Sequence, residues 1–330
     1  MIEISQQEAR AFAPGHVTGV FRPDATARDP RARGSVGAGV VLELGVRATA
    51  RYKPLGPRRL RLSSDVSAPL PISETVARRL FPALGGTLSV HLTHELPVGQ
   101  GFGMSAAGAT ATALAVAAVF RIPRSHAVEV AHLADLFGGG GLGGVAAILG
   151  GGLEIRRRPG VPPYGDVVHS PFSRAILVGV VTPSIPSPRV LGQARWLRRI
   201  DAARTAWADL GDHPSPEAFF EASERFTDRV GLAPPRLRAA LRALRRREAW
   251  AAQAMFGGTF VVLPRTAAGR DSVVDWLSHA GIRAVEVRSD PRGARRLRSG
   301  QTDALAPPRH VPVRRAAATL LARGPSRRPP

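Results

Sequence analysis

The sequence predicts an α+β protein of two domains. Three observations carry this. Strand-like alternation and helix-forming runs are mixed along the chain. A Pro- and Gly-containing loop separates two such mixed parts near residue 170. With 330 residues and 44% hydrophobic content, the chain can fill two separate cores. The expected boundaries are an N-terminal unit over 1–168, a C-terminal unit over 169–305, and a basic tail over 306–330.

The first elements are irregular. Ala11 to Val17 is small and apolar around Pro14 and Gly15, and Gly34 to Gly45 reads as a glycine-rich turn running into an apolar strand. Strands are predicted at Ala48 to Tyr52 and at Thr87 to His94, where Leu88, Val90 and Leu92 alternate with polar residues. Ala106 to Phe120 is rich in the strongest helix former, with Ser105 as the expected N-cap and Pro123 as a stop. A second helix over Ser125 to Phe137 precedes the glycine cluster Gly138 to Gly144. Arg156 to Tyr164 reads as a loop, in which Arg156 to Arg158 could meet an acidic substrate or line the surface, and the surface is favoured.

The C-terminal unit is predicted to hold a strand at Ala175 to Thr182 and helices at Pro216 to Val230 and Pro235 to Trp250. A strand at Thr259 to Leu263, a helix near Asp271 to Ala280 and a strand at Arg283 to Arg288 follow. From Ala306 the Pro- and Arg-rich tail is expected to be disordered, although Val311, Val313, Leu320 and Leu321 could form one docked helix.

Composition excludes several classes of function. There is no cysteine, so disulfides, thiolate metal sites and thiol catalysis are ruled out. No secretion signal is found, and the longest apolar region, Ala106 to Phe120, falls short of a span of about 20 residues. A soluble, cytoplasmic protein without membrane partners is expected. The 46 Lys+Arg against 25 Asp+Glu give a formal charge of +21, which raises nucleic acid as a rival partner. Lys53 is the only lysine, and an arginine bias arises in a GC-rich genome without selection for binding. The basic runs also lack interleaved aromatics for base stacking, which disfavours nucleic acid.

The most informative stretch is Pro97-Val98-Gly99-Gln100-Gly101-Phe102-Gly103-Met104-Ser105-Ala106-Ala107, three glycines and a serine before a long helix. Glycines let backbone N–H groups close on an anion, and a helix start adds about half a positive charge. A Walker loop needs a lysine before Ser or Thr, and none is present here. The dinucleotide fingerprint fits locally as Gly101-x-Gly103-x-x-Ala106. It should be followed by a second parallel strand ending in Asp or Glu, and a helix occupies that place.

Pro97 to Ala107 instead resembles the phosphate loop of the GHMP kinase superfamily. The pantoate kinase branch is more similar still, through PVGQGFGMSAAGA, the early APGHVTGVF from Ala13 to Phe21, GSVGAGVVL from Gly34 to Leu42, and the glycine segments near Gly141 and Gly151. The resemblance implies an N-terminal ribosomal-protein-like α/β domain and a C-terminal ferredoxin-like domain, with ATP and substrate between them. It implies transfer of the ATP γ-phosphoryl group to the hydroxyl of pantoate, giving 4-phosphopantoate for archaeal coenzyme A synthesis, with Mg²⁺ and a homodimeric enzyme.

Residue by residue, Pro97, Gly99, Gln100, Gly101, Phe102, Gly103, Met104, Ser105 and Ala106 match the ATP-phosphate loop. Ser105 and Asp135 match the Mg²⁺ ligands, Asp135 standing where Glu is usual. His16 and Thr18 match a substrate-lining motif, and Gly257, Gly258 and Thr259 match a third motif that folds against the phosphate loop. One departure stands out. Gly144 occupies the position of the catalytic Asp, and loss of a general base costs roughly 3 to 5 kcal/mol of barrier if nothing replaces it. Another GHMP small-molecule kinase, or a weakened nucleotide-binding paralogue, therefore stays open as an alternative.

Overall fold

The computed structural model describes residues 7–183, 187–298 and 309–312. Its spine is an antiparallel ribbon of β1 (Gln7–Asp24) and β2 (Gly34–Lys53). The Pro14-Gly15 pair and the glycines of β2, read from the sequence as parts of strand-and-loop units, lie inside the strands. Two register shifts in β1, between Pro14 and His16 and between Thr18 and Val20, absorb the irregularity and re-aim the residues between them.

β3 (Arg59–Ser64) runs parallel to β4 (Thr87–His94), with α1 (Pro71–Leu80) as the crossover. Neither β3 nor α1 is among the elements predicted from the sequence. β4 pairs with the second half of β2, from Val46↔His94 to Lys53↔Thr87. β5 (Leu153–Arg158) pairs with the first half, from Gly37↔Arg156 to Val40↔Leu153, and β6 (Asp166–Ser170) pairs with β5. The partner along that edge of β2 thus changes from β4 to β5, and the phosphate-type loop leaves the sheet at the change.

α2 (Met104–Phe120) is apolar on all sides and buried along almost its whole length, as such a helix must be. It packs on β1 and β2 and against α1 and α3 (Arg124–Phe137). α4 (Gly144–Ala147) is a single turn after the glycine cluster. Ser105 is not the N-cap. Gly103, in the left-handed conformation at φ 67°, holds that place, so the Ser105 hydroxyl serves elsewhere.

The second sheet contains β7 (Ile176–Val180), β8 (Ala249–Gln253), β9 (Thr259–Pro264) and β10 (Ala284–Val287). α5 (Ser187–Leu191), α6 (Ala194–Ala202), α7 (Pro216–Val230), α8 (Pro235–Arg245) and α9 (Ala267–His279) accompany it. α7 has the ends its sequence encodes, a Ser215 cap, Pro216 in the first turn and Gly231 at φ 66°. The helix expected over Pro235 to Trp250 stops at Arg245, because Ala249–Gln253 forms β8 instead.

The first sheet runs to β6 at Ser170 and the second starts with β7 at Ile176. β11 (Arg295–Leu297), inside the expected C-terminal unit, returns to pair with β1 in the first sheet. β12 (Arg309–His310) pairs with β10, and Val311 is buried in the second core, its N–H donating to the Ala284 carbonyl. This corrects the expectation of disorder for 309–312. Val313, Leu320 and Leu321 lie outside the described residues. Among the described residues no helix is long and apolar enough to cross a membrane.

Candidate active site

The loop after β4 alternates between anchors and cavity lining. Phe102 and Met104 are buried, while Gly101, Gly103 and Ser105 between them line a cavity of about 460 Å³, part of it open to solvent. Gly99, Gly101 and Gly103 all have positive φ, at 74°, 85° and 67°, a backbone only glycine adopts without strain. Ala106, in the first turn of α2, also lines the cavity. Pro97, Gly99 and Gln100 stand outside its lining.

His16 and Thr18 share one face of β1, set there by the two flanking register shifts. His16 is fixed to the loop by its backbone N–H, which donates to the Phe102 carbonyl at 2.9 Å. Its ring needs the glycine opposite, since a Cβ on Gly39 would lie 2.2 Å from His16 Nε2. His16 Nε2 lies 2.8 Å from Glu154 Oε1, and His16 Nδ1 lies 3.2 Å from Thr18 Oγ1. Arg156 donates to the same Glu154 oxygen. His16, Glu154 and Arg156 are all at most 3% exposed. Burial lowers the pKa of His16, with Glu154 acting in the opposite sense.

Arg156 corrects the sequence reading. It is not on a surface loop: it is the buried end of β5 and lines the cavity, whereas Arg157 and Arg158 are exposed. Its Nε is buried without a hydrogen-bond partner among the described residues. Glu154 was missed altogether. The available signal was alternation, with Glu154 and Arg156 two apart and alternating with the apolar Leu153 and Ile155. Ser35 and Phe21 also line the cavity unannounced.

On the opposite wall, Ser105 Oγ donates to Asp135 Oδ1 at 2.5 Å. Burial pushes the Asp135 carboxyl up to about 7, against the lowering effect of Ser105. The glycine cluster makes room for this pair: a Cβ on Gly140 would lie 2.0 Å from Asp135 Oδ1 and 2.2 Å from Ser105 Oγ. Gly144, the position of the expected carboxylate, begins α4 and lines the cavity, facing Ala106.

The segment Met255–Thr259 closes the site from the second sheet. Thr259 Oγ1 donates to the Gln100 carbonyl, the Met255 N–H donates to the Thr18 carbonyl at 3.2 Å, and Met255 lines the cavity. A Cβ on Gly257 would lie 2.9 Å from the Gln100 carbonyl oxygen, and one on Gly258 would collide with Thr182. His132 is buried beside the backbone of Pro30 and Arg33, off the cavity lining.

A model of the GHMP kinases N terminal domain matches residues 72–152. The chain is 33% identical over 235 residues to a pantoate kinase of Thermococcus kodakarensis, covering 69% of this chain and 78% of that relative. It is 29% identical over 259 residues to a pantoate kinase of Methanospirillum hungatei, covering 76% and 86%. A solved structure described as a phosphotransferase related to the coenzyme A biosynthesis pathway matches with a TM-score of 0.81 at 26% identity, over 89% of this chain and 100% of its own. A homoserine kinase from Cytophaga hutchinsonii matches with a TM-score of 0.65 at 13% identity, over 90% and 99%, a likeness of fold.

Proposed function

We propose that this chain, which belongs to the pantoate kinase family of the GHMP kinases, transfers the γ-phosphoryl group of ATP to the hydroxyl of pantoate, a step of coenzyme A biosynthesis. The observation that carries the reading is one cavity with two opposed chemistries. Glycine backbone and the start of α2 suit phosphate on one side, and the buried, under-partnered Arg156 suits a carboxylate on the other.

Phosphoryl transfer asks the protein mainly for alignment and charge stabilisation. Gly101 and Gly103 let the backbone approach the phosphates, with Phe102 and Met104 anchoring the loop from below. The third-motif turn braces it through Thr259 and Gln100. Arg156, planar and held by Glu154, orients a hydroxy acid by its carboxylate.

Mg²⁺ fits the residues present. Among the described residues no cluster of three or more His, Cys, Asp or Glu could hold an ion on its own. Mg²⁺ instead takes one or two protein ligands together with substrate phosphates and water, and Asp135 with Ser105 provides a carboxylate and a hydroxyl beside the phosphate loop. When bound, the ion would offset negative charge on the phosphate oxygens. We assign the reaction to the cytoplasm, where ATP is available.

Arg156→Lys tests the carboxylate assignment, because it keeps the charge and loses the planar fork. The KM for pantoate should rise about tenfold or more, with the KM for ATP changed by less than about threefold. An unchanged pantoate KM would remove Arg156 from the substrate site.

A further inference from the structure

The catalytic carboxylate expected at Gly144 is absent, and Asp135, a carboxylate that lines the cavity, is already bonded to Ser105. The acceptor of the substrate-hydroxyl proton is therefore unassigned. We propose that Thr18 takes this role, accepting the proton at Oγ1 while passing its own to His16 Nδ1. This rests on the pantoate kinase reading above.

Glu154, ion-paired to Arg156, offers only acceptor oxygens, so His16 Nε2 at 2.8 Å must be the donor of that pair. A neutral imidazole then presents a bare lone pair at Nδ1. Among the described residues, the group at Nδ1 is the Thr18 hydroxyl at 3.2 Å, so the single Thr18 proton is committed to His16. Thr18 therefore shows only lone pairs to the cavity it lines. An alcohol seated there can donate to Thr18, which leaves its own lone pair free to face the phosphate loop.

The step balances. The alcohol oxygen forms a bond to the γ-phosphorus as the bond to ADP breaks, and ADP leaves with that electron pair. The alcohol proton passes to Thr18 Oγ1, and the Thr18 proton passes to His16 Nδ1. The resulting imidazolium keeps its Nε2–H donated to Glu154. Geometry holds the relay in register, because the His16 N–H is tied to Phe102 in the phosphate loop and the Thr18 carbonyl to Met255 in the third-motif turn. The charged and titratable groups around His16 are Glu154 and Arg156 on β5 and His169 on β6, with Asp135 across the cavity. Burial of His16 disfavours the imidazolium before reaction and so keeps Nδ1 open.

Thr18→Val keeps the shape and removes the hydroxyl. With pantoate and ATP, kcat should fall by ~10²-fold or more while ATP affinity stays within ~2-fold, and Thr18→Ser should recover at least ~10-fold of the loss. A folded Thr18→Val enzyme within ~3-fold of wild-type kcat would overturn the relay. Nitrogen-15 NMR of His16 in the full-length wild-type protein gives a readout independent of turnover. A proton on Nε2 is expected, and a proton on Nδ1 overturns the relay. A wild-type protein with no pantoate-dependent turnover would overturn the kinase reading and the relay together, a pattern distinct from an active wild type with an equally active Thr18→Val.

Discussion

Ser105 Oγ and Asp135 Oδ1, 2.5 Å apart, join the first turn of α2 to the last turn of α3 at the wall of the cavity. Burial of Asp135 raises its pKa from the ordinary 3.8 to about 7. A carboxyl whose folded pKa is raised holds its proton more tightly when folded. Its contribution to stability is present below about pH 4 and is lost as pH rises through about 7. The ligand-free wild type should therefore lose stability relative to Asp135→Asn between pH 4 and 8, by up to about 4 kcal/mol. Denaturant melts of both proteins across that range check this. A difference that does not change with pH would mean Asp135 titrates normally.

Two glycine substitutions should part company. Gly140→Ala puts a methyl group within 2.2 Å of both Ser105 Oγ and Asp135 Oδ1, so it should cost about 1–3 kcal/mol of stability and weaken ATP binding tenfold or more. Gly99→Ala meets open space at φ 74° and should cost about 1–2 kcal/mol by backbone strain, with ATP affinity little changed. Calorimetric titration with ATP separates them. Equal effects on affinity would show that Gly99 touches the nucleotide too.

Restoring a carboxylate at position 144 tests whether the site has room for one. The Gly144 Cβ would lie 2.7 Å from the Ala106 Cβ, so Gly144→Asp alone should destabilise by about 1–3 kcal/mol. Pairing it with Ala106→Gly should recover part of that loss. If Thr18 already accepts the proton, kcat of the paired variant should stay within about threefold of wild type. A tenfold gain would place the missing base at 144 after all.

Removal of the chain from Ala306 onward also has a definite expectation. It deletes β12 and the Val311 side chain, 7% exposed in the second core. Burial of a valine is worth about 1.5–3 kcal/mol, and denaturant melts should record a loss of that order with ATP affinity retained. No change in stability would mean that the 309–312 contact is not held in solution.

The sequence made α2, α3, α7 and the phosphate loop legible because each carries a local code: alanine-rich runs, capping residues, Pro before and Gly after. What it hid depends on distant partners. The unbroken strands around Pro14 and Gly37 exist because register shifts and a neighbouring strand hold them. β3 and α1, in contrast, do carry local signals that the predicted elements passed over: Leu60 and Leu62 alternate with arginines, and Pro71 opens the helix before Val76, Ala77 and Leu80. Ser105 reads locally as a cap, yet its hydroxyl is claimed by Asp135, 30 residues away. Arg156 looks like one of three surface arginines until pairing with Gly37 turns it inward beside Glu154. The glycines at 39 and 140 read as loop punctuation, and each clears space for a side chain from another element.

A coupled assay of ADP release across pantoate, mevalonate and homoserine, with Mg·ATP and the full-length protein, tests the central claim most directly. The account predicts pantoate-dependent ADP release with one equivalent of 4-phosphopantoate formed, and kcat/KM for pantoate at least about a hundredfold above that for the other two alcohols. Preference for mevalonate or homoserine, or ADP release that does not depend on any added alcohol, would contradict it.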